Sequence, residues 1–277
     1  MLANFSIFAQ LSTDFDNSLD SKKEETEHIP LYDISWKKEL PIYSGALGLQ
    51  LAGIAAINKI EPLSLQEIEL LRPENINSIL GDFDRNTVKH FSAGAQSASD
   101  YVFLSSVTYP FLLLLDKDIR RDGWEVSLMA SEAFLLNAGL TTLVKGTVKR
   151  VRPYAYNPSV NPEDKQNKTT QTSFFSGHTS TVSVMAFFSA KVYSDYNPDS
   201  KWKPVVWTAA ALLPAATGYW RYKAGKHYPT DVLVGYGVGA AIGVLVPHLH
   251  RNKKHKNFRV SPMVGDEVVG LSLRGVF

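Results

Sequence analysis

The chain contains no cysteine among its 277 residues. This absence excludes a disulfide framework, thiol-based catalysis and zinc sites built on cysteine, and it leaves the redox compartment open. A large charge imbalance is also missing, because 29 basic residues face 27 acidic ones and the net charge is +2. That balance argues against a general nucleic-acid binder and an acidic disordered chain. The length suffices to bury a core in one large domain or two small ones.

The N-terminus lacks the basic residues that usually open a secretory leader. Residues 1–10, MLANFSIFAQ, are apolar and resemble the end of a secretory leader with Ala9 before the cleavage point. The basic residues that open such a leader are missing, so a plain N-terminal tail is the alternative, and we favour the leader. The polar stretch that follows is expected to be loosely ordered. We assign residues 1–35 to this leader-like and polar segment.

Apolar residues are clustered rather than evenly spread. Six segments are each near the roughly 20 residues that span a bilayer: 41–58, 98–115, 126–148, 177–193, 204–219 and 230–247. Small residues repeat as Gly235, Gly239 and Gly243, a spacing that allows helices to pack closely in lipid. We therefore predict an all-α six-helix bundle, embedded in a membrane. A soluble bundle with buried helices is the alternative.

The remaining segments differ in kind. Polar connections at 59–97 and 154–172 are long, and such loops are often functional. At the C-terminus, apolar and polar residues alternate on both sides of Gly265 and Asp266, a pattern that predicts a β-hairpin. We divide the chain after the N-terminal segment into helices with a long loop (36–124), a core (125–250) and a basic segment with the hairpin (251–277).

The stretch KGTVKRVRP, residues 145–153, forms a first polar cluster. At helical spacing Lys145, Lys149 and Arg152 share one face, and Pro153 ends the helix. Cations at a helix C-terminus have a structural explanation in the helix dipole. The functional alternative is a cationic face for an anion, with Arg152 offering a bidentate guanidinium.

A second cluster stands at the entrance of the fourth apolar segment, in SFFSGHTS. Ser176 is expected to cap a helix there. The free N–H groups of a helix start also bind anions, and Gly177 allows backbone to approach a ligand closely. Capping alone leaves His178 unexplained.

The third cluster is GYWRYKAGKHYPTD, residues 218–231. Arg221 precedes His227, and Asp231 follows that histidine by one helical turn. A carboxylate at this spacing can accept the Nδ1 proton of the imidazole and orient it. In an up-down bundle all three clusters emerge at the same end. Capping does not predict this convergence of cations and histidines, whereas a phosphate site does.

These residues resemble a known family. Lys145-x6-Arg152-Pro153, then Ser176-Gly177-His178, then Arg221-x5-His227-x3-Asp231 is similar to the type 2 phosphatidic acid phosphatase (PAP2) superfamily, which includes bacterial acid phosphatases and vanadium haloperoxidases. The likeness covers roughly residues 125–250. Phe175 stands where the family usually has proline, and Trp220 where it usually has serine. Neither difference removes a charged catalytic group.

The resemblance implies roles for the residues. His227 becomes the nucleophile that forms phosphohistidine, Asp231 holds its tautomer, and His178 is the general acid and then the base. Binding of the phosphate falls to Lys145, Arg152, Ser176, Gly177 and Arg221. No metal or other cofactor is implied, because these cations stabilise the transition-state charge.

A lipid phosphate or diphosphate is the substrate that the apolar helices favour, and membrane lipids are the expected surroundings. The alternatives are a soluble periplasmic acid phosphatase, a vanadate-dependent haloperoxidase and a non-catalytic envelope protein. The basic residues after the last helix favour a cytoplasmic C-terminus and thus a catalytic end facing outside. A cleaved leader with six spans would give the opposite orientation, so both predictions cannot hold together.

Overall fold

A computed structural model describes residues 28–71, 81–252, 258–265 and 268–275, the last two ranges by their backbone only. The leader-like residues 1–10, part of the first long loop, and the hairpin residues Asp266 and Phe277 lie outside these ranges. Leu31–Phe277 forms one compact unit.

Helices occupy all six predicted apolar segments. They are α1 (Trp36–Asn58), α4 (Ala93–Ser106) with its continuation α5 (Tyr109–Leu112), α7 (Gly123–Val148), α9 (Gly177–Tyr196), α10 (Lys203–Lys223) and α11 (Pro229–His250). Short helices punctuate the connections: α2 (Leu65–Leu70), α3 (Asp82–Arg85), α6 (Lys117–Arg121) and α8 (Pro162–Lys165). Single 3₁₀ turns cover Asn86–Lys89, Leu113–Leu115, Pro153–Tyr156 and Lys168–Gln171. The predicted six-segment helical pattern is therefore confirmed.

The C-terminal segment carries two strands. β1 (Phe258–Gly265) pairs antiparallel with β2 (Val268–Gly275), and Gly265 lies opposite Val268. The predicted hairpin falls on this segment, and its turn residues lie between the described ranges.

Helix α9 forms the centre of the bundle. It packs against α4, α7, α10 and α11, and most of its side chains are buried. Met129 of α7 meets Val184 and Phe188 of α9 in the main apolar core. The three polar clusters lie at one end of these helices, because α7 ends where α9 and α11 begin.

Three helical segments of the described residues are long and apolar enough to cross a membrane: Trp36–Asn58, Gly123–Tyr156 and Pro229–His250. The second of these joins α7 to the 3₁₀ turn that follows it. Ala93–Ser106 with Tyr109–Leu115 makes a fourth if its 48° bend is counted within one span. Three or four of the six predicted apolar segments therefore have the length and hydropathy of a membrane span among the described residues. Helices α9 and α10 fall outside this set, and α9 buries hydroxyl side chains such as Ser180 and Ser183 at the centre of the bundle.

The glycines of α11 bring its backbone against α9. A Cβ built on Gly235 would lie 2.6 Å from the carbonyl oxygen of Ser176, and one on Gly239 would lie 2.3 Å from that of Ser180. Only a residue without Cβ fits at such distances. The spacing predicted close helix packing, and the structure shows it.

We expect Gly239→Ala to destabilise the bundle by about 1–3 kcal/mol, because the helices must separate to admit the methyl group. Thermal unfolding of the purified protein in detergent measures this loss. Gly237→Ala is the matched control on the same helix, since its Cβ would meet nothing within 4 Å. Equal melting temperatures for the two variants would contradict this account of the packing.

Candidate active site

The end of α7 presents Lys145 to the segment that precedes α9. Its ammonium group donates a hydrogen bond to the carbonyl of Thr172 at 2.9 Å. Lys149 then adopts the left-handed conformation, with φ 51°, and ends the helix. The prediction that Lys149 and Arg152 continue the helical face of Lys145 is therefore wrong. The chain leaves the helix at Val148, four residues earlier than Pro153 would require.

Arg152 reaches the same place from extended backbone. Its amide donates to Thr170 at 2.8 Å, which ties this strand-like stretch to the loop before α9. The guanidinium makes one long contact, 3.4 Å, with the Thr172 hydroxyl. Among the described residues, its buried Nε finds no hydrogen-bond acceptor. An unsatisfied buried guanidinium donor calls for an anion.

The start of α9 forms the floor of the site. Ser176 caps the helix as predicted, with its hydroxyl accepting from the Thr179 amide at 3.4 Å. A Cβ on Gly177 would lie 3.2 Å from Thr141 and 3.6 Å from the Cε of Lys145. Gly177 therefore keeps the helix start close to the ammonium group. The free N–H groups of this first turn and the lysine face the same small region.

His178 and Arg221 meet at a carboxylate that the sequence analysis missed. The Oδ1 atom of Asp100, on α4, lies 2.8 Å from the Nε2 of His178 and 3.1 Å from a guanidinium nitrogen of Arg221. The Nε of Arg221, like that of Arg152, is buried without an acceptor among the described residues. Asp100 thus connects the second and third clusters from a helix that carried no motif.

His227 is buried at the centre, with 1% of its side chain exposed. Its Nδ1 lies 2.7 Å from the carbonyl oxygen of Ser173. A carbonyl only accepts, so Nδ1 carries the proton and donates it, and the lone pair of the neutral ring stands on Nε2. The prediction that Asp231 accepts this proton is not met, because its Oδ2 lies 3.7 Å from Nδ1.

Asp231 acts one step further from the imidazole. Its Oδ2 accepts from the Ser173 hydroxyl at 2.6 Å and from the Tyr228 amide at 2.9 Å. The carboxylate therefore fixes the residue whose carbonyl orients His227 and the backbone that follows the histidine. Sequence spacing placed the carboxylate near the ring, but the intervening serine comes from a distant loop.

Burial and cations together set the protonation of His227. Burial lowers its pKa well below the ordinary value, and nearby positive charges lower it further. These charges are on Lys145, Arg152 and Arg221, and His178 contributes only in its protonated form. Three of the predicted cations therefore lie close enough to the imidazole to lower its pKa. The ring is neutral at pH 7 and its lone pair is available.

A second unpredicted group supports Asp231 from outside the site. Arg150 contacts the Asp231 carboxylate, donates to Asp84 at 2.7 Å, and lies 4.1 Å above the ring of Tyr228. Asp84 also accepts from the Thr230 hydroxyl at 2.5 Å. The arginine was visible within the basic stretch after α7, but Asp84 lies in a polar loop with no pattern to mark it.

Comparisons with known proteins find a solved structure and a family model to which the chain is similar. The chain is similar to the crystal structure of a transmembrane PAP2-type phosphatidylglycerolphosphate phosphatase from Bacillus subtilis, with 22% identity and a TM-score of 0.46 over 77% of this chain and 98% of that one. None of the curated proteins matches the chain. Residues 126–255 match the family model of the PAP2 superfamily, and that range includes all eight predicted site residues. Over this segment, slightly less than half of its 277 residues, the chain is similar to the PAP2 superfamily.

Proposed function

We propose that the protein is a phosphatase that hydrolyses a phosphomonoester or diphosphate, most favourably of a lipid, through a phosphohistidine intermediate. The observation that carries this proposal is the buried His227, with its Nδ1 proton held by a carbonyl and cations on several sides. This arrangement makes Nε2 a nucleophile aimed at a centre that attracts anions. We propose no catalytic metal, because the side-chain cations supply the charge.

In the first step, Nε2 of His227 attacks phosphorus as the bond to the leaving oxygen breaks. His178, in its protonated form, donates its proton to that oxygen. In the free protein, burial and the charge of Arg221 lower the pKa of His178 to about 4, and the negative charge of a bound phosphate raises it again. In the second step, the now neutral His178 takes a proton from water, whose oxygen attacks phosphorus and breaks the P–N bond. Phosphate leaves, and both histidines return to their starting states.

Charge on the phosphoryl oxygens is stabilised by groups from several elements. Lys145 approaches from the end of α7, Arg152 from the extended backbone that follows it, Arg221 from the end of α10, and the Gly177 amide from the start of α9. The Ser176 amide, which the resemblance assigned to phosphate binding, instead donates to the backbone carbonyl of Asp231 at 3.0 Å. The two guanidinium Nε donors that lack acceptors would then bind phosphate. Phosphoryl transfer depends mainly on such positioning and electrostatic stabilisation.

We further propose that Asp100 positions both His178 and Arg221. Its carboxylate contacts both side chains, and nearly half of its own surface is exposed at the site entrance. A bound phosphate would compete with this carboxylate for Arg221. Asp100 therefore holds the two groups beside each other until the substrate arrives.

A lipid substrate follows from the outer surface of the helices. Large apolar side chains such as Leu47, Leu51 and Leu233 are each more than half exposed on the candidate spans. Exposed apolar faces on long apolar helices suit contact with lipid. We infer an integral membrane protein of the cell envelope. A soluble periplasmic enzyme would instead leave membranes in carbonate without detergent.

The proposal is tested by phosphate release from phosphatidate, phosphatidylglycerol phosphate, a polyprenyl diphosphate and a lipid A phosphate, with His227→Ala as the blank. Release from at least one substrate by the wild type alone supports it. If no substrate loses phosphate, or if the blank matches the wild type, the proposal fails. Halide oxidation after vanadate loading would instead indicate a haloperoxidase.

The catalytic end is proposed to face outside. The chain has no native cysteine, so single cysteines report their side without background. Glu163→Cys lies exposed on α8 in the loop at the catalytic end, and Asp118→Cys lies exposed on α6 at the opposite end. We expect an impermeant maleimide to label only the first in intact cells. Labelling of only the second would reverse the orientation.

The pH profile of kcat/KM should be shifted at both limits. His227 keeps its neutral form well below pH 6.5, because burial and cations lower its pKa, so its titration should cause no acid loss near 6.5. Burial, together with the charges of Arg152 and Arg221, lowers the pKa of Lys226 to about 8. Lys226 is therefore a cation below about pH 8 and loses its charge above it, and with the charge the attraction that we propose it exerts on phosphate.

Rates measured with p-nitrophenyl phosphate from pH 4.5 to 10 test both limits, because its leaving group needs no proton from His178. Lys226→Arg keeps its charge throughout this range. The variant should therefore retain activity above pH 8, where the wild type declines. An unchanged alkaline limit in Lys226→Arg would assign that limit to another group.

A further inference from the structure

Three titratable side chains meet at the end of the bundle opposite the active site. Glu39 begins α1, Glu132 lies in the first half of α7, and His250 is the last residue of α11. Helix α11 starts at Pro229, beside the nucleophile, so its 22 residues place His250 roughly 30 Å away. This cluster has no part in the proposed phosphatase chemistry.

The orientation of His250 is fixed by its own helix. Its Nδ1 lies 2.8 Å from the Val246 carbonyl and must donate to it. The Nε2 atom therefore faces the carboxylates, 3.1 Å from Oε1 of Glu39 and 3.3 Å from Oε2 of Glu132. One ligand atom from each residue lies within 4.8 Å of the others.

The charge of the cluster is not balanced by these residues. All three side chains are at least 96% buried. A neutral histidine leaves two carboxylates, and even a protonated one leaves a net charge of −1. A single Nε2 proton cannot satisfy both carboxylates. Within the described chain, Glu39 Oε2 and Glu132 Oε2 have no hydrogen-bond partner. Uncompensated buried charge is strongly unfavourable.

We propose that Glu39, Glu132 and His250 bind a divalent transition-metal ion, with Zn²⁺ the best match. Zinc bonds of about 2.0–2.1 Å at tetrahedral angles separate ligand atoms by about 3.3–3.5 Å, close to the distances from Nε2 to the two carboxylates. Imidazole and carboxylate are ligands that zinc accepts. A metal-bound histidine usually donates its other ring N–H to a carbonyl or carboxylate, as the Nδ1 of this histidine does. Two carboxylates and the ion sum to zero charge.

The ion would fasten three helices at the non-catalytic end. The adjoining backbone is already closed there, since the Asp33 amide donates to the His250 carbonyl at 2.8 Å and Tyr32 pairs with Arg251. The role is structural, because the buried cluster lies far from the catalytic residues. The site does not depend on the proposed phosphatase activity.

The test uses the full chain purified in detergent, stripped with EDTA, incubated with ZnCl₂ and desalted. Elemental analysis should find about one zinc per chain in the wild type, and zinc should raise the melting temperature by several degrees. His248→Ala is the matched control, because this exposed histidine lies on the same turn of α11. It should bind zinc and shift like the wild type.

The double variant Glu39→Gln, Glu132→Gln should bind no zinc at this site and show no shift. It keeps the side-chain shapes and removes the charges, so it should fold, and gel filtration with circular dichroism checks that it does. Zinc binding by this variant equal to that of the wild type would overturn the proposal. A wild type that retains no zinc would also overturn it. The negative charge of the two glutamates would then be reduced by a proton that they share.

Discussion

His227→Ala is expected to lower the rate of phosphate release by roughly 10⁴–10⁶-fold, the scale seen when a catalytic nucleophile is removed. The alanine removes the Nε2 lone pair, which is available because Nδ1 donates its proton to the Ser173 carbonyl at 2.7 Å and nearby cations keep the ring neutral. His248→Ala is the matched control, since its imidazole is exposed on the same helix that follows His227. It should retain the wild-type rate.

A sharper result separates the two histidines. With p-nitrophenyl phosphate the leaving group needs no proton, so His178→Ala should still form the phosphoenzyme. Its hydrolysis needs the base, so labelled phosphate should accumulate on the protein in an acid-labile form. His227→Ala should carry no label. Label on His227→Ala, or none on His178→Ala despite turnover by the wild type, would contradict the assignment of the two roles.

The helices were predictable because their physical signal is strong. Continuous apolar runs with small residues, such as the Gly235, Gly239 and Gly243 series, have few alternatives to a packed helix. Their ends were harder to predict. The basic stretch from Lys145 to Arg152 keeps helical spacing, yet Lys149 turns left-handed and releases the chain. Pairing of Arg152 with the loop at Thr170 is a tertiary contact that spacing does not reveal.

The site residues were predictable where a reactive residue type stands at a recognisable helix end. They were not predictable where a contact between distant segments brings the residue into the site. Ser176 and His178 stand at a helix start that the pattern marks. Asp100 lies in an apolar run and looked like an incidental polar residue. The acceptor for His227 is a backbone carbonyl, and every residue has one. The sequence spacing therefore predicted Asp231, the nearest carboxylate in the chain, as the partner of His227. It did not reveal Ser173, whose carbonyl and hydroxyl connect His227 to Asp231.

The carboxylate of Asp231 depends in turn on Arg150. This arginine joins the Asp231 carboxylate, which is fully buried, to Asp84, which is 7% exposed. Its guanidinium also covers the ring of Tyr228 at 4.1 Å. Removing one partner of a buried ion pair costs more than the pair contributes, because a desolvated charge is left alone. Here two carboxylates would be left facing each other.

We therefore expect Arg150→Ala to lower the free energy of unfolding by about 3–5 kcal/mol. Arg85→Ala removes an arginine from a pair with Asp82, which is 91% exposed, and should cost less than about 1 kcal/mol. Adding Asp84→Asn to Arg150→Ala removes one stranded charge and should restore part of the loss. Denaturation of the three variants measures these differences. If Arg150→Ala and Arg85→Ala unfold alike, the buried pair does not support Asp231, and the loop that orients His227 must be held by its hydrogen bonds alone.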